Sequence, residues 1–276
     1  MQAEIVRLFD AKPAEYTSAD RATFDAFLLA LTGGRIRAAE PDSAAPTGWR
    51  VNPWVKKGIL VGFRMGVNID MSVGALSFRD KDTFPMQAFG ADRNIRIVPG
   101  GSSARAGAYV GRNVTCMPPM YINVGAYVDD GTMVDSHALV GSCAQVGKQC
   151  HISAASQIGG VLEPVGALPV VIEDDVLIGG NCGVYEGTIV KRRAVLGTGT
   201  ILNRSTPVYD LVRQTIHRAT EECPLVIPED AVVISGARAI TSGPGKDWGI
   251  SVYTPVIVKY RDAKTGARIQ LEDLLR

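Results

Sequence analysis

The sequence lacks the cysteine pairing that would staple a fold and the charge excess that would select a polymer partner. Its five cysteines, Cys116, Cys143, Cys150, Cys182 and Cys223, are odd in number and include no C-x-x-C pair. That excludes a complete disulfide framework and argues against a structural zinc site. A reducing, cytoplasmic setting is therefore expected. Lys+Arg 29 against Asp+Glu 28 leaves a formal net charge of +1, so no global field draws the chain to nucleic acid or to a membrane. No apolar run approaches the roughly 20 residues of a spanning helix. The opening MQAEIVRLFDAKPAE has an acidic residue at position 4 and no apolar core, unlike a secretory or transit signal. Histidine is also scarce: His137, His151 and His217 are all there is, and His217 lies outside any regular pattern, so no three-histidine metal centre is expected.

What the sequence has is a repeat. Stepping by six from Val110 lands on Cys116, Ile122, Val128, Val134, Val140, Val146, Ile152 and Ile158. After the segment GGVLEPVGALPV the step resumes at Ile172 and runs through Ile178, Val184, Val190, Leu196, Leu202 and Val208. Four residues beyond the stations stand small or modest side chains, among them Ala126, Thr132, Ala138, Ala144, Cys150, Ser156, Cys182, Ala194 and Thr200. A helix would need a period of 3.6 and an ordinary strand a period of 2. A period of six is the hexapeptide signature of a parallel β-helix, in which three short strands close a triangular coil and each aliphatic station fills the interior. Sixteen stations make about five coils. Most of the cysteines are absorbed as coil packing, and a thiol in apolar surroundings is inert.

The repeat divides the chain. Residues 1–98 read as a small α-rich domain, 99–208 as the β-helix with a loop inserted at 159–171, and 209–276 as a C-terminal cap. In the first part, Ser18 to Arg21 followed by Phe24, Phe27, Leu28 and Leu31 and then Gly33-Gly34 reads as a capped amphipathic helix. A second helix follows Pro53, with Ala39 to Gly48 as a polar linker. In the last part, VVISG and TPVIVKY read as strands and EDLLR as a short helix. Because the coil interior is full, chemistry must sit on its outer faces or between subunits. Asp129, Asp130 and Asp135 in GAYVDDGTMVDSH are candidate bases toward an amine, with solvated corner carboxylates as the alternative. The string from Gly141 to Gln149 brushes against a phosphate loop but has the wrong glycine spacing and fits the hexad instead.

Several strings resemble one family, the tetrahydrodipicolinate (2,3,4,5-tetrahydropyridine-2,6-dicarboxylate) N-succinyltransferases: GAYVDDGTMVDSHALVGSCAQVGK at 125–148, IGGVLEPVGALPVVIEDDVLIG at 158–179, VVISG at 232–236 and VIVKYRDAKTG at 256–266. WVKKGILVGFR at 54–64 is also similar. The resemblance implies a mainly β, left-handed β-helix that assembles as a homotrimer with active sites between subunits. It implies an acyl-CoA co-substrate, succinyl-CoA, with no tightly bound cofactor, and a small amino-dicarboxylate acceptor in a lysine or diaminopimelate pathway. It places the catalytic aspartate at Asp135 and the substrate-binding arginine at Arg96, with Ser136, His137, Glu163 and Glu186 as further substrate-side candidates. Coenzyme A would lie along a groove of small residues, for which Ser153, Ala154, Gly159, Gly160, Gly179, Gly180, Gly197 and Thr198 are candidates, with Arg238 and Lys259 as phosphate partners.

Two departures from the family pattern matter. His137 stands where the family commonly has Trp, and Gly179-Gly180-Asn181-Cys182-Gly183 stands where it commonly reads G-A-R-S-E. An arginine and a glutamate are thereby replaced. Losing a cation matters most for a succinyl group, whose free carboxylate must be paired once it is desolvated. An acetyl-CoA-using relative, similar to the enzyme of tabtoxin biosynthesis, is therefore the alternative expectation. A metal-dependent hydratase and a non-catalytic scaffold on the same fold are the readings from other classes.

Overall fold

The computed structural model describes residues 1–261, so the expected helix in EDLLR lies outside the described residues. Two-residue strands recur every six positions and stack into three parallel sheets, six-stranded on two sides and ten-stranded on the third. This is the parallel β-helix that the repeat predicts, consistent with the left-handed coil that the resemblance implies. Each side pairs residues one coil apart: Met133 with His151, Leu139 with Gln157, Tyr127 with Gln145. The stations point inward. Cys116, Val134, Ile152, Ile178 and Leu196 form one buried column, Ile122, Val140, Ile158 and Val184 the second, and Val128, Val146, Ile172 and Val190 the third. Fully burying each such side chain contributes about 1.5–3 kcal/mol, and these columns hold the coils together.

Closing a coil in eighteen residues requires a sharp corner, and the chain makes it with left-handed backbone. Three residues beyond the stations, φ is positive at Asn113, Gly125, Gly131, His137, Cys143, Gln149, Ala155, Asp175, Asn181, Gly187, Arg193 and Gly199. A non-glycine residue in that conformation costs roughly 1–2 kcal/mol. The cost is offset by a bond to the coil before: His137 N–H donates to Pro119, Ala155 to Ser136, Asn181 to Ala154 and Arg193 to Asp174.

The solenoid differs from expectation at both ends. It begins before residue 99, because Arg96–Ile97 already pairs with Thr115–Cys116 and Ser103–Ala104 with Tyr121–Ile122. It also does not end at Val208. The Asn203 side chain accepts the N–H groups of Ser205 and Thr206, and this turn with Pro207 behind it takes the chain out of the ladder. Val208 falls on a strand, Val208–Asp210, that joins the C-terminal arm, while Val226–Ile227 returns to stack on Ile189–Val190. Two of the sides therefore carry six rungs rather than about five. The VVISG and TPVIVKY runs lie in Ala231–Ala239 and Ser251–Tyr260, which form an antiparallel hairpin. Tyr253 from this hairpin closes the open edge of one sheet, its hydroxyl taking the Ile201 N–H at 2.6 Å and donating to the Ile201 carbonyl.

Three helices precede the solenoid: α1 (Gln2–Ala11), α2 (Ser18–Thr32) and α3 (Pro53–Met65). α1 is an element the sequence reading did not include. α2 starts on a capping box between Thr17 and Asp20. Phe24, Phe27, Val55, Ile59 and Phe84 form a second core that also takes in Val124 and Cys143 from the solenoid. Cys143 thus packs between the two bodies and not inside a coil. The stretch expected as a linker is instead a hairpin, Ala39–Pro41 against Trp49–Val51. It belongs to the docking surface: the Arg37 guanidinium lies 3.6 Å over the Tyr127 ring and donates to Gln145, and the Trp49 indole donates to Glu173.

Candidate active site

The corner that follows the ten-stranded sheet stacks the residues singled out by resemblance. Successive coils bring Asp135-Ser136-His137, Ser153-Ala154-Ala155, Gly179-Gly180-Asn181 and Gly197-Thr198-Gly199 into one column, tied by the carbonyl-to-amide bonds of the left-handed corners. The middle residues of the triplets, Ser136, Ala154, Gly180 and Thr198, are exposed or partly exposed. Ser136 N–H is taken by the Asp135 carboxylate at 2.7 Å, whereas the N–H groups of Ala154, Gly180 and Thr198 find no acceptor among the described residues. Gly179 is tightly packed, since a Cβ there would lie 2.6 Å from the Leu196 carbonyl oxygen. Gly180 is not: its nearest atom would be 3.4 Å away, so its bareness keeps the outer groove open.

Asp135 stands at one end of this column, partly exposed, with Oδ2 3.5 Å from His151 Nε2. His137, a substrate-side candidate two residues after the aspartate, sits exposed at a left-handed corner, and it is His151, one coil on from Met133, that faces the carboxylate. The signal was available in the coil length, because eighteen residues separate Met133 from His151. Arg96 is exposed on the first rung of the same sheet. Thr115 lies between it and Met133, which places Arg96 two strand spacings, about 10 Å, below the strand that leads into Asp135.

Not every candidate joins the column. Gly159 and Gly160 lie at the next corner, where the chain enters the inserted loop, and line a cleft of about 1070 Å³ with Glu163, Glu186, Leu139, Trp49 and Tyr185. Glu186 has its own structural task there, its carboxylate accepting the Arg204 N–H at 2.8 Å. Lys56 from α3, wholly buried, donates to the Ala167 carbonyl of the same loop, and burial pushes its ammonium below the ordinary lysine range. Arg238 and Lys259 stay apart: Arg238 pairs with Val252 near the hairpin tip and Lys259 with Val232 near its base.

The position of Gly183 is occupied in an unexpected way. The Tyr185 ring lies back along the strand, so that a Cβ on Gly183 would meet the ring at 2.4 Å and a Cβ on Gly159 would meet it at 2.8 Å. Two glycines form the trough in which the phenol rests. The buried thiols have no nucleophilic part in the site: burial pushes Cys116, Cys143 and Cys150 up to about 12 and Cys182 to about 11. Among the described residues, no three His, Cys, Asp or Glu side chains gather as metal ligands, and no helix is long and apolar enough to cross a membrane.

Comparison with known proteins agrees with the fold and extends the resemblance to the start of the chain. Residues 1–65 match the family model described as tetrahydrodipicolinate N-succinyltransferase N-terminal, and residues 169–204 match the hexapeptide repeat of succinyl-transferase. The 2,3,4,5-tetrahydropyridine-2,6-dicarboxylate N-succinyltransferase of Xylella fastidiosa is 40% identical over 261 residues, 93% of this chain and 88% of that protein. This chain belongs to the tetrahydrodipicolinate N-succinyltransferase family. The relative from Aromatoleum aromaticum that bears the same name is 43% identical over 271 residues, 96% of this chain and 92% of its own. Within this N-succinyltransferase family the α-rich region is thus shared, and the similarity does not begin only at α3. A solved structure from Campylobacter jejuni, described as a 2,3,4,5-tetrahydropyridine-2-carboxylate N-succinyltransferase, is 17% identical with a TM-score of 0.49, covering 86% of this chain and 62% of that one.

Proposed function

We propose that this protein is an acyl-CoA-dependent N-acyltransferase that moves a succinyl group onto the amine of ring-opened tetrahydrodipicolinate, L-2-amino-6-oxopimelate, in a lysine or diaminopimelate pathway. The observation that carries the reading is the corner column, in which small residues with undonated amides at Ala154, Gly180 and Thr198 lead to a carboxylate at Asp135. Main-chain donors of this kind suit an extended thioester with few charges of its own, and an amide aimed at the carbonyl oxygen stabilises the oxyanion formed on attack. The amine attacks the thioester carbon directly, Asp135 assists the loss of its proton, and the C–S bond breaks to release coenzyme A. Arg96 offers two parallel N–H donors to a substrate carboxylate. The active sites lie between subunits of a homotrimer, and the protein works in the cytoplasm without a tightly bound cofactor.

One observation favours a second donor. Asn181 and Gly183 supply neither cation nor carboxylate at their positions, and acetyl needs no partner for a free carboxylate. The relatives compared above are named succinyltransferases, and none supports the tabtoxin-type alternative. Thiol release measured with succinyl-CoA and acetyl-CoA in parallel tests the proposal. Succinyl-CoA is expected to give the higher kcat/KM, by about tenfold or more. Preference for acetyl-CoA overturns the donor, and no thiol release with either overturns the acyl-transfer reading.

A further inference from the structure

His151 has no part in the reading above, yet it is the side chain that faces Asp135. Its Nε2 lies 3.5 Å from Asp135 Oδ2, is closed off from solvent and has no hydrogen-bond partner among the described residues. The side chain keeps 26% of its exposure, so the part that meets solvent lies away from Nε2. Register explains the encounter. His151 pairs with Met133, and Asp135, two residues further along the same outer face, is its diagonal neighbour. The flanking side chains in the sheet, Met133 and Leu177, do not titrate, and Asp135 is the carboxylate within 4.0 Å of the ring nitrogens among the described residues.

A buried ring nitrogen without a partner carries the full desolvation cost of an unmade hydrogen bond. That cost disappears if Nε2 carries the hydrogen and donates it to Oδ2, which needs only a small closing movement of the kind catalytic hydrogen bonds make when substrate binds. The reaction needs a base of suitable strength. An amine that becomes an amide must lose a proton, and an ordinary aspartate, with a pKa of about 3.9, is a weak acceptor at neutral pH. An imidazole, ordinarily near 6.5, is matched to it.

We infer that Asp135 and His151 act as one proton-accepting dyad, in which the carboxylate holds the Nε2–H tautomer and the imidazole receives the proton of the amine. This rests on the acyl-transfer reading given above. The amine lone pair forms the N–C bond and the carbonyl becomes an oxyanion. Imidazole takes the N–H proton and becomes imidazolium beside the carboxylate. Collapse breaks the C–S bond, and the leaving thiolate takes the proton back from imidazolium. Amine and thioester become amide and thiol with no other reactant.

The test uses His151→Gln, Asp135→Asn and the double variant of the full chain. Each single change is expected to lower kcat about a hundredfold or more, with the double variant no slower than the worse single one. In His151→Gln the acid limb of the kcat/KM profile is expected to move to lower pH, because only the carboxylate remains. Independently of turnover, ¹⁵N shifts of the imidazole should report an Nε2–H tautomer in the wild type that is lost in Asp135→Asn. With three histidines in the chain, assignment by substitution of His137 and His217 is direct. A His151→Gln enzyme within about threefold of wild-type kcat overturns the inference, as do independent, multiplying effects of the two substitutions. If His151→Gln fails to fold, the tautomer measurement on wild type and Asp135→Asn decides. If the wild type itself transfers no acyl group, the acyl-transfer reading has failed, and an unchanged tautomer in Asp135→Asn separately removes the pairing.

Discussion

Arg96 and Asp135 illustrate how much a single side chain's role depends on the coil that presents it. Asp135 stands at the corner that follows the ten-stranded sheet, whereas Arg96 stands exposed on that sheet's first rung, without an acidic partner among the described residues. A guanidinium exposed in this way fits the proposed capture of a dicarboxylate better than a part in the chemistry. Arg96→Ala is therefore expected to raise the KM for the amino-dicarboxylate at least tenfold with a smaller change in kcat, as initial-rate kinetics would show; an unchanged KM takes Arg96 out of the site. The aspartate was legible in the string MVDSH. Its partner is legible only through the coil length: sixteen positions separate Asp135 from His151, and the eighteen-residue coil sets His151 beside Met133 on the adjacent rung. The Tyr185 ring over Gly183 and Gly159 was hidden, because a trough made of two glycines leaves no mark in a repeat pattern.

At the scale of elements, the corners and the excursion decide where functional residues go. The left-handed corners place Asn181 and His137 outward at the same step of their hexads, which is why neither contributes to the interior columns. The excursion after Leu202 is held by Asp210. This buried carboxylate accepts the N–H groups of Val212 and Arg213 and the Tyr260 hydroxyl, with His217 Nε2 at 3.4 Å. Burial works against its ionisation, but the amide of Arg213 and the Tyr260 and His217 side chains outweigh it and hold the carboxyl below the ordinary range. A carboxylate with a depressed folded pKa contributes stability above its unfolded value, near 3.9, and loses it as pH falls through the lower folded value. Asp210→Asn is thus expected to unfold at a lower temperature than wild type at pH 7, with the gap shrinking below about pH 4. Thermal unfolding across pH measures this, and a gap that does not shrink at all as pH falls below about 4 contradicts it.

At the scale of the whole molecule, two bodies with separate cores are joined through Cys143, Val124 and the Arg37–Tyr127 stack. The arm beyond the solenoid leaves Trp248, Ile250, Val252 and Tyr253 between 37% and 75% exposed. Apolar surface of that kind fits the proposed trimer, in which a second copy would cover it. Light scattering should therefore give three times the chain mass of 29.4 kDa, and a monomer at micromolar concentration would refute the assembly.

The hexad needed no structure to be read. A period of six is imposed by the geometry of the coil on every interior station, and sixteen repetitions leave no competing fold. The family strings were likewise local, because contiguous residues carry them. Tertiary structure alone decided which candidates stand together. It separated Gly159 and Gly160 from the corner column and brought Val226–Ile227 back into the ladder in place of Val208. Each of these depends on contacts between coils, and a coil's neighbours are fixed by where the chain leaves the lattice and where it returns, which no local pattern records.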